Sequence, residues 1–88
     1  MEREVCIVNR LGLHARAAAR LVDLANGFSS RIHLIRDGDA VDAKSILGIL
    51  TLAVPFGSTI LVTAEGNDAE AAADAIVRLI EDRFGEER

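Results

Sequence analysis

The 88-residue sequence predicts an α+β fold: a two-layer, open-faced β-sandwich in the order β-α-β-β-α-β-α. A four-stranded antiparallel sheet would be covered on one face by three helices. Two observations carry this expectation. Four short runs are rich in β-branched residues and bounded by Gly, Asn, Asp or Pro, as strands are. Three segments between them each show one apolar stripe at helical spacing, which must be buried against a second layer. Half the residues are apolar, and there are three Phe but no Trp or Tyr, so the core is expected to consist of Val, Ile, Leu and Ala.

The elements follow in order. Residues 4–8 (Glu-Val-Cys-Ile-Val) read as the first strand, with Cys6 a small buried hydrophobe. Residues 9–13 form a loop punctuated by Gly12. Residues 15–25 are dense in helix formers, with Ala18, Leu21, Val22 and Ala25 on one face, and Asn26-Gly27 stops the helix. Residues 31–36 form the second strand, Asp37-Gly38 a two-residue hairpin turn, and residues 40–43 the returning strand. His33, between Ile32 and Leu34, points to the solvent side. Residues 45–53 make a short second helix capped by Ser45. Pro55-Phe56-Gly57 breaks the chain before a fourth strand at residues 58–64. Asn67-Asp68-Ala69-Glu70 has the form of a capping box, opening a last helix whose apolar face is Ala69, Ala72, Ala73, Ile76, Ile80 and Phe84. Residues 1–88 are expected to form a single domain.

Composition excludes several classes. A net charge of −4 and scarce aromatics argue against nucleic-acid and membrane-surface binding. An RNA-binding sandwich would need basic or aromatic residues on the open sheet face. One cysteine permits no intramolecular disulfide and no Cys-based zinc cluster, and two histidines without matching carboxylates make no metal site. No run approaches the ~20 apolar residues needed to span a bilayer, and residues 1–4 lead into a strand without a secretory apolar region. A cytoplasmic monomer without a cofactor is expected.

The chemistry concentrates at Gly12-Leu13-His14-Ala15-Arg16. His14 falls where a glycine-containing loop becomes the first turn of a helix. The first amides of a helix lack intrahelical partners, and its dipole presents partial positive charge there. That field disfavours an imidazolium, biasing the ring towards its neutral, nucleophilic form. An anion brought to the ring would meet free N–H groups and the guanidinium of Arg16. Phosphoryl transfer needs chiefly positioning and charge stabilisation, so this small kit suffices in principle. On the residues alone, however, a histidine before a helix is more often a cap or a surface residue. Arg16 reads equally well as a solvated side chain.

The stretch Asn9-Arg10-Leu11-Gly12-Leu13-His14-Ala15-Arg16-Ala17-Ala18 resembles the active-site signature of HPr, the histidine phosphocarrier of the bacterial phosphoenolpyruvate-dependent sugar phosphotransferase system. Ala43-Lys44-Ser45-Ile46-Leu47-Gly48-Ile49-Leu50 is similar to that family's regulatory-serine segment at the expected distance. The Gly57-Ser58 turn and the Ala64-Glu65-Gly66 exit also match, so the resemblance covers nearly the whole chain and implies an HPr-like sandwich. It implies a non-enzymatic carrier that accepts phosphate on His14 Nδ1 from phosphorylated enzyme I and passes it to IIA components of sugar permeases. Arg16 would steady the phosphate and the amides of Ala15 and Ala17 would cradle it. Ser45 would be the site of an HPr kinase/phosphorylase, with a transcriptional regulator as a further partner. Ile46 and Leu47 would form an apolar docking patch, and Phe56 either extends it or folds back as a lid. One departure is Ala17, where the family usually has proline; alanine preserves the helix and adds an N–H.

Each of these positions has a structural alternative. Ser45 is explained by capping alone, and Ile46 and Leu50 share a helical face that fits a core, leaving Leu47 the better candidate for exposure. Two other functions fit the chain: a nitrogen-branch or regulatory paralogue serving non-sugar acceptors, and a small α/β protein-binding module without phosphohistidine. In the second case His14→Ala would leave function intact.

Overall fold

The computed structural model describes residues 1–88. Its elements are β1 (Glu2–Cys6), α1 (Ala15–Asn26), β2 (Arg31–Arg36), β3 (Asp39–Asp42), α2 (Ile46–Leu52), β4 (Thr59–Glu65) and α3 (Ala69–Glu81), followed by a 3-10 turn at Arg83–Gly85. The strands form one antiparallel sheet in the order β1-β4-β2-β3. The predicted order and architecture are therefore present.

Period-two alternation sorts the sheet's faces. Val5, Ile32, Leu34, Ile60, Val62 and Ala64 are buried beneath the helices. Leu21, Ile49, Ile76 and Ile80 meet them from the helical layer, forming one continuous core. The partners of these strand residues along the chain, among them Glu4, His33 and Thr63, lie on the open face. His33 sits there half-buried, in register with Asp42 and Thr63. Asp37 and Gly38 join β2 to β3 with φ of 52° and 86°, the doubly positive turn that matches the twist of paired strands.

Several local expectations fail, each for a tertiary reason. β1 begins at Glu2 rather than residue 4, because its span is set by β4: Glu2 lies opposite Thr63 and Cys6 opposite Thr59. Cys6 is exposed, not buried. Val5 and Ile7 take the inward positions, and alternation leaves the residue between them outside. β3 and β4 start at Asp39 and Thr59, each one residue off the expected frame.

The capping box at Asn67 does not form. Asp68 occupies the N-cap position and makes no side-chain cap bond. Its carboxylate instead accepts from the Ser29 and Ser30 amides, both at 2.9 Å, and from the Ser30 hydroxyl, pinning the α1–β2 connection. Phe84 is buried as its apolar position suggested, but it lies in the 3-10 turn after α3 has ended at Glu81.

The Ser30 hydroxyl, followed by the Ser29 amide, holds the Asp68 carboxyl at about 2, below its ordinary 3.8. A carboxyl depressed in the folded state stabilises the fold fully above its unfolded value, and that contribution disappears as pH falls through the folded one. The stability difference between wild type and Asp68→Ala is thus expected to be constant above about pH 5 and to shrink towards pH 2. Denaturant melts across that range test this; a difference independent of pH would show that the charge of Asp68 is not what holds the connection.

Candidate functional site

α1 starts at a loop whose shape depends on glycine. Gly12 has φ of +67°, and a Cβ there would lie 2.5 Å from the Val54 carbonyl oxygen. Neither positive φ nor that approach suits an L side chain. The closeness lets the Leu13 amide donate to Val54 O at 2.9 Å, fastening the loop to the α2–β4 connection. Asn9, fully buried, turns its Nδ2 back to Gly12 O at 2.8 Å.

This clamp delivers His14 to the N-cap of α1 in an extended conformation (φ −74°, ψ 178°). Its carbonyl receives the first helical bond, from the Ala18 amide at 2.8 Å. The amides of Ala15, Arg16 and Ala17 thus precede the helical ladder. The Arg16 amide donates to His14 Nδ1 at 3.3 Å, so this ring nitrogen is the acceptor that faces the helix start. Ala15 and Arg16 are exposed, whereas Ala17 is completely buried and contributes its methyl to the core. The Arg16 side chain, free of any ion pair, lines an open depression beside His14 together with Arg10, Leu11 and Arg20.

The other face of the imidazole meets a residue the sequence reading did not single out. His14 Nε2 contacts Glu86 Oε2, and Asn9 Nδ2 donates to Glu86 Oε1 at 3.0 Å. Burial raises the Glu86 carboxyl, but the bonds from Asn9 and His14 and the attraction of His14 and Arg16 together outweigh it. The group is held below its ordinary range and stays ionised. Glu86 had no local signal, lying in a patternless acidic tail, and Asn9, although it opens the stretch at residues 9–18, was given no role of its own. Only the folded chain joins them to His14.

Ser45 is the N-cap of α2, its Oγ accepting from the Gly48 amide at 3.1 Å. Ser45→Ala is expected to cost about 1 kcal/mol and Ser45→Asp almost nothing, because aspartate caps as well as serine. Urea melts distinguish the two. Around Ser45 the apolar side chains divide differently from the expectation. Ile49 and Leu52 are buried, while Ile46 and Leu50 are exposed together with Leu47. Ile46 and Leu50 do share a helical face, but it is the outer one. Phe56 is 59% exposed in the α2–β4 connection, so it is no lid over the core. Phe56 lies on the connection whose Val54 holds the His14 loop, and Ile46, Leu47 and Leu50 are exposed on the helix that leads into it.

The chain resembles known proteins along its length. A family model described as "PTS HPr component phosphorylation site" matches residues 1–82. The phosphocarrier protein HPr of Cupriavidus necator is 48% identical over 86 residues, which cover 98% of this chain and 97% of that protein. The phosphocarrier protein NPr of Shewanella violacea is 44% identical over 86 residues, covering 98% and 94% respectively. The crystal structure of HPr-C-His from Thermoanaerobacter tengcongensis superposes with a TM-score of 0.97 at 48% identity, covering 100% of this chain and 99% of that one.

Proposed function

The chain belongs to the PTS HPr family, and from that premise we propose that it carries phosphoryl groups on His14 Nδ1. The group arrives from phosphorylated enzyme I and leaves for IIA components of sugar permeases. The observation that carries this reading is the orientation of the ring. Nδ1 presents its lone pair at the start of α1, among amides not yet in the ladder, while Nε2 is occupied by Glu86. An anion built on Nδ1 therefore forms where the helix end favours negative charge.

The roles divide by accessibility. The amides of Ala15 and Arg16 receive phosphate oxygens first, since the buried Ala17 lies deepest of the three. The unpaired Arg16 guanidinium supplies the mobile cation, and its planar fork matches two phosphate oxygens. Ile46, Leu47 and Phe56 make the apolar margin against which successive partners seat. Burial of such a cluster with a charged centre suits brief, repeated docking. We place this carrier in the cytoplasm, acting as a monomer because it must offer the same surface to donor and acceptor in turn.

Incubation with phosphoenolpyruvate and a compatible enzyme I tests the proposal by intact mass. One acid-labile phosphoryl group is expected, discharged on adding a IIA domain. No uptake from a donor that charges another HPr would overturn it. Discharge to a nitrogen-branch acceptor but not to any sugar IIA would favour the NPr-like reading, which the 44% identical relative keeps in view.

Ser45 supports a second, regulatory reading. Its hydroxyl caps α2 directly beside the exposed Ile46 and Leu47. A phosphate there would rest on the helix start without unfolding it, and would place about two negative charges within the docking margin. An acid-stable phosphate from ATP and an HPr kinase/phosphorylase, absent in Ser45→Ala, is the expected result.

A further inference from the structure

His14 is held from two sides, and one hold comes from a residue 72 positions away in sequence. Both oxygens of Glu86 are committed: Oε2 to His14 Nε2 and Oε1 to Asn9 Nδ2. The Glu86 side chain is only 12% exposed, unlike its exposed neighbour Glu87. Asn9 cannot turn its amide over without losing the 2.8 Å bond from Nδ2 to Gly12 O. The orientation of the carboxylate is thus fixed by the same loop that fixes the histidine.

The geometry points to Glu86 as a positioning residue for phosphoryl transfer at His14, acting through Nε2. Which nitrogen of an imidazole carries the proton is set by the bond the other makes. A carboxylate at Nε2 can only accept, so it holds the proton there. The Arg16 amide at Nδ1 can only donate, so it asks for the lone pair there. The two contacts agree on one tautomer, and it is the one with Nδ1 nucleophilic.

The inference rests on the reading of His14 as the acceptor, and the step balances on that basis. The Nδ1 lone pair forms the N–P bond while the bond from phosphorus to the donor nitrogen breaks, its electron pair returning to the donor. The proton stays on Nε2. The ring acquires positive charge as it gains the phosphoryl group, and Glu86 faces that charge from the edge opposite the phosphate. A fixed dipole or charge aimed where charge develops is effective because it needs no reorganisation. The return step reverses each change.

Two substitutions in the full chain separate positioning from packing. In Glu86→Gln the side-chain oxygen must still face Asn9 Nδ2, so its NH₂ faces His14 Nε2. That donor demands a lone pair at Nε2 and drives the proton towards Nδ1, the wrong nitrogen. Glu86→Ala merely releases the ring. Ring ¹⁵N spectra are expected to show protonated Nε2 in wild type and a shift of the proton towards Nδ1 in the variants. The shift is smaller in Glu86→Ala, where the Arg16 amide still favours a lone pair at Nδ1, and larger in Glu86→Gln, where the two donors compete. For transfer from phosphorylated enzyme I, kcat is expected to fall about tenfold in Glu86→Ala, the loss of one charge-assisted bond. It falls further in Glu86→Gln, with KM little changed in either. An isosteric glutamine that behaves like wild type in both measurements would overturn the inference, as would faster transfer in the alanine variant, which would make Glu86 a blocking latch. If wild type accepts no phosphate, the reading of His14 falls, while the ¹⁵N spectra still decide whether Glu86 sets the tautomer.

Discussion

His14→Ala is expected to take up no acid-labile phosphoryl group from phosphorylated enzyme I, where wild type takes one and His33→Ala still takes one. The chain has two histidines, so the comparison is complete for this chemistry. His33 is half-buried on the open sheet face, in the middle of β2 and not at a helix start, with a carboxylate-bearing neighbour in register. No helix-start amides are there to receive a developing negative charge. His14 has the amides of the first turn of α1 and the Arg16 guanidinium. The variant should also remain folded. The bond it removes from the cap is long, at 3.3 Å, and Glu86 keeps its bond from Asn9 once the ring is gone, while water can reach its other oxygen, so the stability loss stays within ~1 kcal/mol. Intact mass before and after acid, beside a urea melt, separates lost chemistry from lost fold. Undiminished uptake in His14→Ala would move the phosphoryl-accepting chemistry to another residue, whereas no uptake even in wild type would leave the protein-binding module as the better description.

That histidine was readable from sequence because everything defining it locally lies within five residues: a glycine, a loop-to-helix change and an arginine. Ser45 was readable for the same reason, as a helix cap three residues before the amide it serves. What escaped was whatever the chain assembles at a distance. Glu86 and Asn9 become partners only after α3 has carried the tail back across the sheet to the loop before α1. Asp68 looked like part of a local capping box, but the two serine amides and a hydroxyl brought to it by the α1–β2 connection offered more bonds than a cap would. Cys6 shows a different kind of failure. Five residues in a row read as a mostly buried strand, and only the register against β4 decides which of them turn inward. In α2, a seven-residue helix makes barely two turns, so its spacing groups Ile46 with Leu50 without saying which side faces the core. Element order needed only local patterning; facing and tail contacts needed the assembled fold.

Phe84→Ala is expected to lose about 3–5 kcal/mol, as truncation of a fully buried phenylalanine does. In a chain of this size that is a large share of the total stability and a fall in Tm of well over ~12 °C. The reason reaches beyond packing. Arg83 and Phe84 both have positive φ, at 58° and 54°, which costs energy for residues with a Cβ. The turn they make is closed by the Gly85 and Glu86 amides, which donate to Asp82 O and Arg83 O, and by Arg20, which donates to Phe84 O. These are bonds water can replace; the buried ring is what offsets the backbone strain. Without it the tail should leave the surface, and Glu86 should leave His14. Phe84→Ala is therefore expected to reproduce the ¹⁵N ring signature of Glu86→Ala although residue 84 never touches the imidazole. Phe84→Leu should restore most of the stability and the wild-type tautomer, and it keeps the test readable if the alanine variant does not fold. A loss below ~1 kcal/mol, or a wild-type ring spectrum in a folded Phe84→Ala, would show that the tail holds its place over the site without its aromatic anchor.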